Sequence, residues 1–167
     1  MTDESLTLKS AKKIRIGVLG GGFGASFYWH HHPNSVVEAV SDLRPERRDA
    51  LMRTYGCEKS YESLDELIHD KNVDAVAVFT GAPDHVRHCV AAMRAGKHVI
   101  SAVPAATSLE DAALLRDTVE QTGLTYMMAE TSYYQQAAIS ARKFHQDGKF
   151  GNIFCDCVQW IWVSGSV

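Results

Sequence analysis

The stretch Ile14-Arg15-Ile16-Gly17-Val18-Leu19, which ends abruptly in Gly20-Gly21-Gly22-Phe23-Gly24-Ala25, constrains this chain more than any other. The first six residues read as a short buried strand, rich in β-branched side chains. The glycines after it fit G-x-G-x-x-A, with Gly20, Gly22 and Ala25 at the three key positions. Gly20 is expected to make the tight turn out of the strand. Gly22 lets the backbone approach a pyrophosphate, and Ala25 keeps a following helix close to the strand. That helix is expected to open at Ala25-Ser26-Phe27-Tyr28-Trp29, with its free N–H groups turned to the anion.

A glycine turn alone is a weak signal, and a second strand strengthens it. Val36-Val37-Glu38-Ala39-Val40-Ser41 runs into Asp42, about 20 residues beyond Gly22. An acid there accepts hydrogen bonds from the ribose hydroxyls of NAD and repels a 2′-phosphate. Arg44, Arg47 and Arg48 follow, and arginine clamps phosphate bidentately, which keeps NADP open. The plainer reading of Arg47 and Arg48 is a solvated helix face. The balance favours NAD.

The 167 residues suffice for one domain and the beginning of another. A net charge of −3 gives no electrostatic reason to expect nucleic acid or an anionic membrane as partner. No apolar run approaches the roughly 20 residues that span a bilayer. Residues 1–13 are polar, lack the apolar core of an export signal, and read as a disordered lead-in. Cys57 and Cys89 are isolated and Cys155-Asp156-Cys157 alternates as a strand does, so the thiols read as free in a reducing cytoplasm. His30-His31-His32 before Pro33 reads as a polar helix end, because adjacent helical side chains diverge. No metal site is expected.

Strands and helices then alternate. Pro45 opens a helix that Gly56 closes, and Glu58–Tyr61 is a short strand. Ser63-Leu64-Asp65-Glu66 is a capping box. Val73 to Thr80 is nearly continuously apolar, as a strand covered on both faces should be. A turn through Gly81–His85 leads to a helix reaching Ala95, a strand over Lys97–Ser101 and a loop over Ala102–Ala105. Ser108 caps a helix through Thr122 with Leu109, Ala112, Leu115 and Val119 inward. Leu124–Met128 is a strand, 133–147 a helix, and Ile153–Val163 a long β run without partner strands. The pattern predicts an α/β fold, a doubly wound and mostly parallel Rossmann sheet with helices on both faces. The NAD(P)-binding domain is placed at 14–150, and 151–167 as the first strand of a second α/β domain. The chain reads as a fragment of a longer two-domain protein.

The ordered set resembles the Gfo/Idh/MocA family. Its carriers are Gly20-x-Gly22-x-x-Ala25, Ala39-Val40-Ser41-Asp42 with Glu46-Arg47, Val73-Asp74-Ala75-Val76 with Thr80 and His85, Ala95-Gly96-Lys97-His98-Val99 with Pro104, and Gly148-Lys149-Phe150-Gly151-Asn152-Ile153. The resemblance implies an NAD(P)-dependent oxidoreductase acting on a sugar- or polyol-like alcohol, forming a homo-oligomer at full length. Some members instead use tightly held NAD in a redox-assisted glycosidase cycle. The implied cofactor contacts are Gly20, Gly22, Phe23, Gly24, Ala25, Asp42, Thr80 and His85. Glu130, Tyr133 and His85 are the candidates for acid/base or substrate contact. Read alone, His85 is equally a polar first-turn residue, and Tyr133 equally a packing residue. One departure matters: where the family commonly has E-K-P, this chain has Ala102-Val103-Pro104, and valine transfers no proton. That leaves a non-catalytic nucleotide-binding protein as the alternative function.

Overall fold

Strands as continuously apolar as residues 73–80 need cover on both faces, and the structure, a computed structural model, supplies it. The structure describes residues 13–152. The lead-in, apart from Lys13, and the β run from Ile153 lie outside the described residues. The strands are β1 (Ile14–Leu19), β2 (Ser35–Ser41), β3 (Lys59–Tyr61), β4 (Ala75–Val78), β5 (His98–Ser101) and β6 (Tyr126–Met128). They form one sheet in the order β3-β2-β1-β4-β5-β6, and every pairing is parallel. The fold is α/β and Rossmann-like.

Alternation along β4 divides the core. Val76 and Val78 face one side, where they meet helices α2 (Leu64–His69), α3 (His85–Arg94) and α4 (Leu109–Thr122) through Leu67, Val86, Cys89, Met93 and Leu115. Ala77 and Phe79 face the other side, with Leu51 and Tyr55 of helix α1 (Pro45–Tyr55). The helix starts come from local chemistry. Pro45 occupies the first turn of α1, and the Ser63 and Ser108 hydroxyls accept the N–H groups of Glu66 and Asp111 at 3.3 and 3.1 Å.

Expectations for three helices are corrected. No α-helix opens at Ala25: the crossover from β1 to β2 consists of two short 3-10 turns, Phe23–Ser26 and Trp29–His31. The cause lies in the aromatic residues. Phe27 and Trp29 both pack toward Phe79, with Phe27 4.5 Å from the Phe79 ring and stacked 5.3 Å from Trp29. On an α-helix, residues two apart point to nearly opposite sides. Phe27 is instead extended, at φ −103 and ψ 126, so both rings reach the core.

In α4, Leu109 and Ala112 do not face inward. Leu109, the first helical residue, is 85% exposed, and the buried stripe is Leu115 and Thr118 with Val119 beside them. Thr118 is tolerated there because its hydroxyl donates to the Leu114 carbonyl at 2.8 Å.

The chain divides into two units between Ala129 and Glu130. In the second, a 3-10 turn (Thr131–Tyr134) precedes helix α5 (Gln136–Gln146), so the helix starts later than the expected 133.

Leu67 is fully buried, and its methyl groups cover the backbone of β1 at Gly17. Leu67→Ala should cost about 2–5 kcal/mol of stability, read as a lower urea midpoint at unchanged slope.

Candidate functional site

The strand order reverses between β1 and β4, so the connections leaving their carboxyl ends part and open a crevice. A cavity of about 640 Å³ lies there, with Gly20, Gly22, Asp42, Arg47, Thr80 and His88 among the residues lining it. Four of the eight expected cofactor contacts, Gly20, Gly22, Asp42 and Thr80, are therefore in its wall.

Each glycine of the turn has a separate cause. Gly20 has φ +102, and a Cβ there would lie 2.4 Å from the Phe79 carbonyl oxygen, so no side chain fits. At Gly22 a Cβ would meet only Arg47 Nη1, at 3.8 Å. What glycine provides at that position is open backbone on the cavity side. A Cβ at Gly21 would sit 2.7 Å from Arg47 Cβ, because the first turn of α1 abuts the loop. Ala25 packs, partly buried, against the core as expected, and buried Gly24 packs closer still: an added Cβ would lie 3.3 Å from Val18 and 3.4 Å from Phe79. Phe23 stays half-exposed, edge-on to Phe27 and Phe79. Among the described residues the N–H groups of Gly22 and Phe23 meet no acceptor.

Asp42 closes one end of the cavity. Its side chain is only 9% exposed. One carboxylate oxygen accepts the Gly21 N–H at 2.6 Å, and the other accepts the Arg44 N–H at 2.9 Å. Arg47 Nη1 stands 4.0 Å from the carboxylate. Arg48 points elsewhere: it donates to the Asp42 carbonyl at 2.8 Å and to Glu62 at 3.2 Å.

On the opposite wall the Thr80 hydroxyl and His88 Nδ1 are 2.9 Å apart. Burial first, and the neighbouring Arg87 charge second, push His88 below the usual histidine range, so the ring is neutral at pH 7. Nothing in the sequence distinguishes His88 from a surface helix residue, and sequence reasoning missed it.

His85 opens α3, but its ring is turned inward and 1% exposed. Nε2 lies 2.9 Å from the Thr80 carbonyl and Nδ1 2.8 Å from the Pro104 carbonyl. Carbonyls only accept, so the ring nitrogens are the donors available to these two contacts. In this position His85 clamps the loop after β4 to the loop after β5. Val103 stands in that second loop, 44% exposed.

Tyr55, at the end of α1, reaches the glycine turn from the core side. Its hydroxyl lies 2.5 Å from the Gly24 carbonyl and 3.0 Å from the Phe27 carbonyl. Burial is the main cause that pushes this phenol up to about 12.

In the second unit, Glu130 accepts the Ser132 N–H at 2.8 Å and caps its 3-10 turn. Hydrogen bonds from Ser132 hold its carboxyl below the usual range. The Tyr133 ring is covered by the Arg142 guanidinium, 3.8 Å from the ring centre. Among the described residues no three His, Cys, Asp or Glu side chains are grouped to hold a metal, and His31 stacks on Tyr28.

Residues 14–130 match the Gfo/Idh/MocA model, an oxidoreductase family with an NAD-binding Rossmann fold. The chain is 26% identical over 153 residues to levoglucosan dehydrogenase from Pseudarthrobacter phenanthrenivorans, covering 85% of this chain and 39% of that protein. It is 29% identical over 163 residues to glycosyl hydrolase family 109 protein 1 of Bacteroides thetaiotaomicron, covering 89% and 34%. Among solved structures, scyllo-inositol dehydrogenase from Lactobacillus casei with bound NAD(H) and scyllo-inositol superposes with a TM-score of 0.77 at 23% identity. That superposition covers 84% of this chain and 43% of the other, and it shows a shared fold. The chain thus spans less than half the length of each of these proteins.

Two outcomes are expected. Gly20→Ala places a methyl group against the Phe79 carbonyl at a left-handed φ, so the thermal midpoint should fall by several degrees. Nucleotide binding should fall with it in a parallel titration. The second outcome concerns alkaline pH. Tyr55 has a folded value of about 12 against an ordinary 10.0, so the folded state holds its proton more tightly. Its contribution is present below pH 10 and is lost as pH rises toward 12. Unfolding measured across that window should show a steeper loss in wild type than in Tyr55→Phe.

Proposed function

The chain belongs to the Gfo/Idh/MocA oxidoreductase family, and from that premise we propose that it forms the dinucleotide-binding half of a nicotinamide-dependent oxidoreductase. The observation that carries this reading is the Asp42 carboxylate in the cavity wall, bonded to the glycine turn and facing the space beside Gly22. A ribose hydroxyl donates to such a carboxylate, and the loop N–H groups of Gly22 and Phe23 receive the pyrophosphate. NAD would supply the hydride acceptor, taking hydride at nicotinamide C4 from the carbon of a sugar- or polyol-like alcohol. The protein's part is to hold the two in register. The levoglucosan dehydrogenase and scyllo-inositol dehydrogenase relatives support that substrate class.

NAD is favoured over NADP on electrostatic grounds. A 2′-phosphate entering beside Arg47 would also meet the Asp42 carboxylate, whose side chain is only 9% exposed, so two negative charges would face each other in a partly desolvated position. A homo-oligomer in the cytoplasm goes with this reading. Free thiols at Cys57 and Cys89 fit a reducing compartment.

Val103 favours a second reading. No proton-transferring group stands at that position after β5, so a nucleotide-binding protein without turnover fits the same cavity.

Titration with NADH and NADPH, followed by nicotinamide fluorescence, tests the site. NADH should bind more tightly than NADPH, and Asp42→Ala should weaken NADH by about ten- to a hundredfold, the worth of a charged hydrogen bond. Absence of binding to either nucleotide by the folded protein would overturn both readings. NADH binding without oxidation of inositols or anhydrosugars would select the second.

A further inference from the structure

The crossover that carries the glycine turn is held in an unusual way. Its own hydrogen bonds are long: Ala25 N–H to the Gly22 carbonyl is 3.4 Å, and Phe27 N–H to the Gly24 carbonyl is 3.5 Å. In a continuous α-helix the Gly24 carbonyl would accept from a residue four further on. Here that carbonyl, like the Phe27 carbonyl, is turned toward the Tyr55 hydroxyl. Tyr55 stands 31 residues away in sequence from Gly24 and belongs to α1. It is 7% exposed and, unlike Gly20 or Asp42, is not part of the cavity wall.

The peptide unit is planar, so fixing a carbonyl also fixes the N–H of the next residue in the opposite direction. A Gly24 carbonyl held into the core aims the Ala25 N–H back at Gly22, which closes the turn. The turn so closed is the one that presents Gly22 to the cavity. The same helix braces the turn at its other end, where Arg47 packs against Gly21.

We propose that Tyr55 is a positioning residue for the pyrophosphate, with its hydroxyl taking over the task of the absent crossover helix. The phenol touches no cofactor atom. It acts by holding the Gly24 carbonyl inward, with the Phe27 carbonyl 3.0 Å from the same oxygen. The proposal rests on the dinucleotide reading above and adds to it a residue outside the site.

The test compares ADP-ribose, which carries the pyrophosphate, with adenosine, which does not. Tyr55→Phe keeps the ring and removes only the hydroxyl. Wild type should bind both ligands, and the variant should lose about five- to tenfold in ADP-ribose affinity while adenosine affinity is unchanged. An equal loss for both ligands would mean general loosening and would overturn the proposal. So would unchanged ADP-ribose binding. Failure of wild type to bind ADP-ribose would instead bring down the dinucleotide reading, and the proposal with it. If the variant does not fold, NMR of wild type decides. The slowly exchanging Tyr55 hydroxyl proton should shift on adding ADP-ribose and stay put with adenosine, and no shift with ADP-ribose overturns the role.

Discussion

No side chain fits at position 20. The ends of β1 and β4 approach so closely that a Cβ there would lie 2.4 Å from the Phe79 carbonyl oxygen. The chain passes that point only with a glycine at positive φ, and the cavity is arranged around the resulting turn. Thr80 follows Phe79 into one wall, Gly22 lies in another, and Asp42 holds the turn through the Gly21 N–H. Removing the approach would move all three walls at once, because each is anchored to the same few backbone atoms.

Beyond the turn, aromatic rings stand where a helix was expected. Phe27 and Trp29 pack with Phe79 and bury surface that a crossover helix would otherwise cover. The exchange has an electrostatic consequence. A helix of ordinary length presents roughly half a positive charge at its N-terminus, and a four-residue 3-10 turn does not. On the proposed function, anion binding would then depend on individual loop N–H groups and on Arg47. It would also depend on how firmly the loop is held, which α1 decides through Arg47 at one end and Tyr55 at the other.

The titratable side chains proposed for acid/base work, and His88 with them, are each already engaged within their own unit. His85 joins two loops through both ring nitrogens, Glu130 caps a turn, and His88 pairs with Thr80. The clamp by His85 sets the position of the loop that contains Val103. None of these tasks was visible in composition or spacing. His85 and Pro104 are 19 residues apart, and only the folding of α3 against β5 brings them together.

Strands, the capped helix starts and the glycine turn were legible from the residues alone because each is set within a few positions. Short apolar, β-branched runs marked β1, β2 and β4, Ser63 and Ser108 marked their caps, and Asp42 announced itself by its place after a strand. The sequence by itself determined a parallel α/β sheet with a nucleotide turn at its centre, since hydrophobic period and glycine sterics are local properties. Tertiary structure alone decided that rings would replace the crossover helix, that Gly24 would be buried beside Ala25, and that Tyr55 would hold the turn. Those outcomes depend on which distant surfaces meet. Phe27 and Trp29 are moderate helix formers, and burying both rings against Phe79 outweighed what a short helix would have gained.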